Sequence, residues 1–192
     1  MPPEVLPPQA ERRSALLGRA LPDNGKVKAI AAPFATRFIL RGGSDVMGPV
    51  GAAFGAPPRS QPLRAVVEGP RAALWMGPDE WLLIAEDSEP GLGAKLDAAL
   101  AGVPHALVDV SHRQCAIELS GVGAARLLNA GVPLDLDLPA FPVGMVARTL
   151  LLKAEIVLWR RDAERFRVET GRSFAPYVAA VLNLSARDQE LS

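Results

Sequence analysis

Apolar positions along this chain switch between a period of two and a period near 3.6, and the switches divide it into strands and helices. The pattern is sharpest between His105 and Leu134. Residues 107–110 form a short, nearly all-apolar run, which predicts a strand buried on both faces. Residues 111–113 interrupt it with polar side chains. Residues 114–119 then alternate: Cys115, Ile117 and Leu119 share one face, and Gln114, Ala116 and Glu118 the other, which predicts a half-buried strand. Ser120 is placed to cap the helix that follows, whose apolar stripe is Ala124, Leu127 and Leu128. Gly131 is placed to take the left-handed conformation at the helix end, and Pro133 prevents continuation.

The same reading extends to the rest of the chain. Residues 34–40 predict the first strand of the body, and residues 46–54 a short helix capped by Ser44 or Asp45. A proline-rich loop leads to strands at 63–67, 73–76 and 81–85, the last two joined by Gly77-Pro78-Asp79-Glu80, a turn composition. A helix at 91–101 buries Leu92, Leu96, Ala99 and Leu100. In the second half, residues 143–152, 155–160 and 165–169 predict strands. In the last, Phe166 and Val168 face in, while Arg165, Arg167 and Glu169 face out. Phe174, Tyr177, Val178, Val181 and Leu182 fall at helical spacing and predict a closing helix capped by Ser173.

Strands in hairpins with helices between them imply the α+β class, with antiparallel sheets and helices on the outer faces. The two halves repeat one order of elements, which fits two interlocked split-βαβ-like units. The expected layout is a proline-rich arm over residues 1–33, one α+β domain over 34–187 and a frayed end over 188–192. The arm holds six of the 18 prolines. Two readings of it stand side by side: a disordered tail, or an arm that docks on a partner through Leu6, Leu16 and Leu17.

Charge removes several function classes. Lysine plus arginine and aspartate plus glutamate number 21 each, so the net charge is zero, with no footprint for nucleic acid or an anionic membrane. Hydrophobic residues make up 49% against 22% charged, a surface composition that favours association. The start has neither a basic n-region nor an apolar h-region, and no apolar run is long enough to span a bilayer, so the expected location is cytoplasmic.

Candidate chemistry is sparse. Cys115 is the single cysteine and reads as a small buried hydrophobe. His105 and His112 are the only histidines and lack metal-ligand spacing. Ser111, His112 and Asp109 can be written as a triad, but neighbours on a strand point to opposite faces. Gly121-Val122-Gly123 sits between strand and helix as in a dinucleotide turn, yet the third glycine of that fingerprint is replaced by Arg126. Asp135 and Asp137 alternate with leucines along one wet edge. Of the arginines on the late strands, Arg165 and Arg167 read as a solvated hairpin face. Arg148 alternates with Val146 and Leu150 and needs a carboxylate or carbonyl partner. Glu118 and Asp109 read as solvent-facing or paired with arginines such as Arg113. Trp75, Trp81 and Trp159 read equally as core or interface anchors.

Three stretches carry a family resemblance: VDVSHRQ (108–114), LSGVGAARLLNAGVPLDL (119–136) and FPVGMVARTLLLKAEIVLWR (141–160). Through them the chain resembles the gamma subunit of heterotetrameric sarcosine oxidase and, more distantly, the folate-binding domain of the glycine-cleavage T protein and of dimethylglycine dehydrogenases. The resemblance implies the aminomethyltransferase-type fold. It also implies an enzyme that oxidatively demethylates sarcosine to glycine, transfers the one-carbon unit to tetrahydrofolate and produces hydrogen peroxide. In that family FAD, FMN and NAD belong to the larger subunits and zinc to a small one. This chain is accordingly expected to hold no cofactor, no metal and no catalytic residue, and to assemble with the alpha, beta and delta subunits. Leu6, Leu16, Leu17 and Arg148 are its candidate partner contacts. The alternative is a free-standing, folate-binding aminomethyltransferase-like protein.

Overall fold

A computed structural model describes residues 13–87 and 89–190. Strand β1 (Lys28–Ala31) and strand β2 (Thr36–Gly42) precede a 3-10 turn (Ser44–Val46) and helix α1 (Met47–Phe54). Strands β3 (Ala65–Glu68), β4 (Arg71–Gly77) and β5 (Glu80–Ala85) form a meander, and α2 (Leu92–Ala99) leads to β6 (His105–Asp109). Then come β7 (Gln114–Ser120), α3 (Ala124–Asn129), the meander β8 (Val146–Leu151), β9 (Ala154–Asp162) and β10 (Arg165–Gly171), and finally α4 (Ala175–Glu190).

The strands make two antiparallel five-stranded sheets, ordered β3-β4-β5-β2-β6 and β8-β9-β10-β7-β1. Each sheet is built by one unit of strand, helix, meander, helix, strand. In the second unit the final strand is supplied from the N-terminus: β1 occupies beside β7 the place that β6 occupies beside β2. This is the interlock, and the α+β class with two such units is what the hydrophobic pattern predicts.

Period-two alternation sorts the strand residues into three apolar layers. Phe38, Leu40, Trp81 and Leu83 pack under α1 and α2 with Val50, Phe54, Leu92 and Leu96. Ile117, Leu119, Ile156, Leu158, Phe166 and Val168 pack under α3 and α4 with Leu127, Leu128, Val178 and Leu182. Between the sheets, Leu74, Leu82 and Ile84 meet Val146, Val157 and Trp159. The order of layers is therefore helix, sheet, sheet, helix.

Gly121 and Gly123 make the interlock possible. Gly121 has φ +112°, and a Cβ there would overlap the Lys26 carbonyl oxygen. A Cβ on Gly123 would come within 2.8 Å of Val27 Cγ2, and the Gly123 N–H donates to Lys26 O at 3.1 Å. The pair that imitates a dinucleotide turn is a clasp over the segment entering β1.

The structure departs from the expected layout in several places. Residues 13–31 are part of the body, not of an arm: Leu16 is 4% exposed and sits in the core with Val27 and Ala29. β1 is only four residues long with one buried side chain, too short to announce itself by periodicity. The C-terminal helix runs on to Glu190, past the expected boundary at 187. β6 is an edge strand and largely exposed, with Val108 at 53%; an antiparallel edge leaves an apolar strand wet where a parallel interior would bury it. Ser120 does not cap α3, which starts at Ala124 after Gly123 without a side-chain cap. Gly131 is not left-handed; it leaves room for the Leu151 and Leu152 side chains. Phe174 and Tyr177 lie at the exposed edge of α4, whose buried stripe is Ala175, Val178, Ala179, Val181 and Leu182.

Candidate functional site

On the face of the second sheet that looks toward the first, register sets side chains in rows. Ile30, Glu118 and Arg167 form one row across β1, β7 and β10; Lys28, Ser120 and Arg165 form the next. Between β9 and β10 the register slips beside Arg165, so Arg161 is an extra residue opposite no partner. Glu86, just past β5, approaches from the other sheet. Together with Pro33, Phe34 and Leu119 these residues line a cleft of about 570 Å³.

The cleft floor is ionic. Arg167 and Glu169 are each 1% exposed, as is Arg37 from the opposite sheet. Arg37 grips Glu169 with two donors: Nε to Oε2 at 2.8 Å and Nη2 to Oε1 at 3.1 Å. Arg167 Nε donates to Glu169 Oε1 at 2.7 Å, and its Nη1 donates to Glu86 Oε1 at 2.6 Å and to Glu118 Oε1 at 2.8 Å. Arg161 Nη1 reaches the same two carboxylate oxygens at 3.2 Å while its guanidinium stacks 4.9 Å over the Trp159 ring. Burial alone would lower the affinity of Arg167 for its proton. Glu169, Glu118 and Glu86 outweigh it and hold the guanidinium above its ordinary pKa. Arg167 and Glu169 therefore do not form the solvated hairpin face expected of them; the first sheet covers that face and charge pairing satisfies it. Glu118 is paired as expected, but with Arg161 and Arg167 and not with Arg113.

This cluster pairs charge with charge and contains no nucleophile–base arrangement: Glu86 and Glu118 each accept from two guanidinium groups through Oε1. Nor do the other candidates form reaction chemistry. Ser111 latches the β6–β7 turn to β2, accepting from the Arg37 N–H at 2.9 Å, and its own N–H donates to Asp109 Oδ1 at 2.8 Å. His105 Nδ1 lies 2.7 Å from the Val103 carbonyl. Among the described residues no cluster of histidine, cysteine, aspartate and glutamate is placed to hold a metal. Cys115 is half-buried, and burial raises its thiol pKa, with Glu169 adding to the effect. No helix of the described residues is long and apolar enough to cross a membrane.

The structure scatters the expected partner contacts. Leu16 is core; Leu17 stands exposed beside it; Leu6 lies outside the described residues. Arg148 pairs with Glu80 of the other sheet and lies 3.7 Å from Glu155, so it has the carboxylate partner its position requires. The cleft residues Lys28, Phe34, Arg37 and Glu86 carry no local motif. The one signal was Arg37 itself, a charge at the position where the apolar β2 alternates toward the other sheet.

Comparison with known proteins adds what the geometry leaves open. A sequence model of the sarcosine oxidase gamma subunit family matches residues 52–187. The chain belongs to that family. Its fold is similar to that of a chain in the heterotetrameric sarcosine oxidase from Corynebacterium sp. U-96 in complex with pyrrole 2-carboxylate. There the TM-score is 0.84 and the identity 27%, over 92% of this chain and 95% of that one. It is 37% identical over 114 residues to sarcosine oxidase subunit gamma of an Arthrobacter sp, 59% of this chain and 55% of that protein. The chain thus spans about half the length of the curated relatives it matches. A glycine cleavage system aminomethyltransferase T from Bartonella henselae shares the fold, with TM-score 0.61 at 15% identity over 91% of this chain and 51% of that one.

Proposed function

We propose that this member of the sarcosine oxidase gamma subunit family is a non-catalytic, structural subunit of a cytoplasmic heterotetramer with alpha, beta and delta partners. In this reading the assembly oxidatively demethylates sarcosine to glycine, passes the one-carbon unit to tetrahydrofolate and forms hydrogen peroxide. FAD, FMN, NAD and zinc reside in the other subunits. The observation that carries the reading is the near full-length likeness to a chain of a heterotetrameric sarcosine oxidase. The pairing of Glu86 and Glu118 with Arg161 and Arg167 agrees with a structural role.

Folate is the ligand that the fold brings into question. A pterin ring needs a carboxylate free to pair with its edge. In this reading Glu86 and Glu118, each held by two arginines through Oε1, serve those arginines and not a pterin, and no step through folate is assigned to this chain. Calorimetric titration of the purified chain with tetrahydrofolate should show no saturable heat. One-to-one binding at micromolar folate would favour the aminomethyltransferase-like alternative.

The direct test is activity by subtraction. Alpha, beta and delta subunits are purified with and without this chain, and sarcosine-dependent peroxide formation is followed. The chain alone should produce none and carry no flavin absorbance, while adding it should restore a stable, active complex. Stoichiometric flavin or sarcosine oxidation by the chain alone would overturn the reading.

A further inference from the structure

A sheet edge is a row of backbone N–H and C=O groups that pairs readily with another strand unless something covers or blunts it. Three of the four edges are met, at least in part, within the chain. Residues 22–24 lie along β1, where the Ala29 N–H donates to Pro22 O at 2.7 Å and Asp23 forms a β-bridge with Lys28. β3 and β8 are joined at their starts, through Ala65 N–H to Gly144 O and Val146 N–H to Leu63 O, both 2.9 Å. The fourth edge, β6, has no such cover. The Val110 N–H points inward, to Arg37 O at 2.9 Å, so by alternation those of Ala106 and Val108 also face β2. His105, Leu107 and Asp109 therefore aim their N–H and C=O groups outward, and among the described residues no backbone group meets them. No lysine, proline or bulge lies within the strand, and Val108 is 53% exposed.

The two ends of β6 carry complementary groups on one face. His105 Nδ1 donates to the Val103 carbonyl, which leaves Nε2 for a second partner. Asp109 Oδ1 accepts from the Ser111 N–H, and Oδ2 has no partner among the described residues. Across the sheet the two face Gly42 and Phe38, so neither has a charged cross-strand neighbour on β2.

We propose that β6 is an interaction edge whose occupant is β6 of a second copy of this chain, paired antiparallel about Leu107. In that register the strand is its own complement. Leu107 meets Leu107 of the second copy, Ala106 meets Val108, and His105 meets Asp109 once at each end. The same register sets outward N–H groups against outward C=O groups at His105, Leu107 and Asp109. A slip by one residue would oppose outward groups to inward ones, and a slip by two would part His105 from Asp109. The pairing is a property of the chain by itself, independent of its reading as a subunit.

Sedimentation and amide exchange of the full chain test this. At about 0.1 mM, where a small interface is populated, the parent should be dimeric, and on dilution monomeric. Val108→Lys changes an exposed side chain and puts a charge on the edge, so it should keep the parent's melting temperature and stay monomeric. His105→Asp and Asp109→Lys should each weaken the dimer by about threefold or more, and mixing the two variants should restore it, because acid again opposes base at both ends. The amides of His105, Leu107 and Asp109 should exchange more slowly as concentration rises, while those of Ala106 and Val108 stay slow throughout. A chain that is monomeric at every concentration would overturn the proposal, as would a dimer whose outward amides exchange at the monomer's rate. Slowing of those amides only when alpha, beta and delta subunits are added would give the edge to a partner and overturn the second copy as its occupant.

Discussion

Arg37 Nε lies 2.8 Å from Glu169 Oε2, and this contact joins the two sheets across 132 residues of sequence. Arg37 comes from β2 of the first unit and Glu169 from β10 of the second. The facing sheets also meet through aliphatic and aromatic side chains, and through the pairing of Glu80 and Glu86 with arginines of the second sheet. The Arg37 guanidinium also donates to Ala35 O at 3.0 Å, and Glu169 accepts from Arg167 as well. Such a network stabilises only while complete, because each member is buried away from water.

Removing one member should therefore be costly. Glu169→Gln leaves two buried guanidinium groups short of a counter-charge, and about 3–5 kcal/mol of stability should be lost. Urea unfolding of Glu169→Gln, Arg37→Met and the double variant measures this. The double variant should lose much less than the two singles combined, because the second change removes the charge that the first left stranded. Additive losses would show that the contact does not couple the sheets.

The clasp over β1 makes a second prediction. Gly121→Ala places a Cβ against the Lys26 carbonyl at a φ of +112°. It should destabilise by at least about 1–3 kcal/mol, the range for backbone strain of this kind. The loss should be concentrated at the interlock: amide exchange in Lys28–Ala31 should speed up more than in β8–β9. Uniform acceleration across both sheets would indicate global destabilisation without a local clasp.

Leu16 tests where the N-terminal boundary lies. It is buried among Val27, Ala29 and the residues of α3 and α4. Leu16→Ala should cost about 2–5 kcal/mol, as for other core leucines, whereas Leu17→Ala beside it should be close to neutral. Thermal melts of the two variants decide the matter, and equal, small losses would return this segment to the status of an arm.

Cys115 gives a pH dependence. Burial first, and then the Glu169 carboxylate, raise its pKa, so the unreactive thiol persists to higher pH than in an unfolded chain. Alkylation of the native chain at neutral pH should be slower than after denaturation, and the native rate should rise only in alkaline solution. A native rate at pH 7 equal to that of the denatured chain would mean an accessible thiolate and contradict the packing described.

Much of the fold could be read in advance because it depends on local period. Strands β4, β5, β7, β9 and β10 and helices α1, α2 and α4 are long or regular enough to show it. What stayed hidden was relational. Arg167 and Glu169 occupy alternate positions of a hairpin, which in isolation is a wet face; only the first sheet, whose β2 brings Arg37 against it, turns that face into an interior. β1 was hidden for the same reason. Four residues make a strand only because Gly121 and Gly123 admit them beside β7, and nothing within Lys28–Ala31 records that distant permission. The cleft followed the sheets: its rows are set by register between β1, β7 and β10, which lie about 90 and 45 residues apart.

We propose that this chain serves the oxidase by assembling, and native mass spectrometry of the co-expressed alpha, beta, delta and gamma chains measures that assembly. One copy of this chain per complex is predicted, with all flavin mass remaining on the other subunits when the complex is partly dissociated. A complex of the other three that excludes this chain, or flavin that travels with it, would contradict the account.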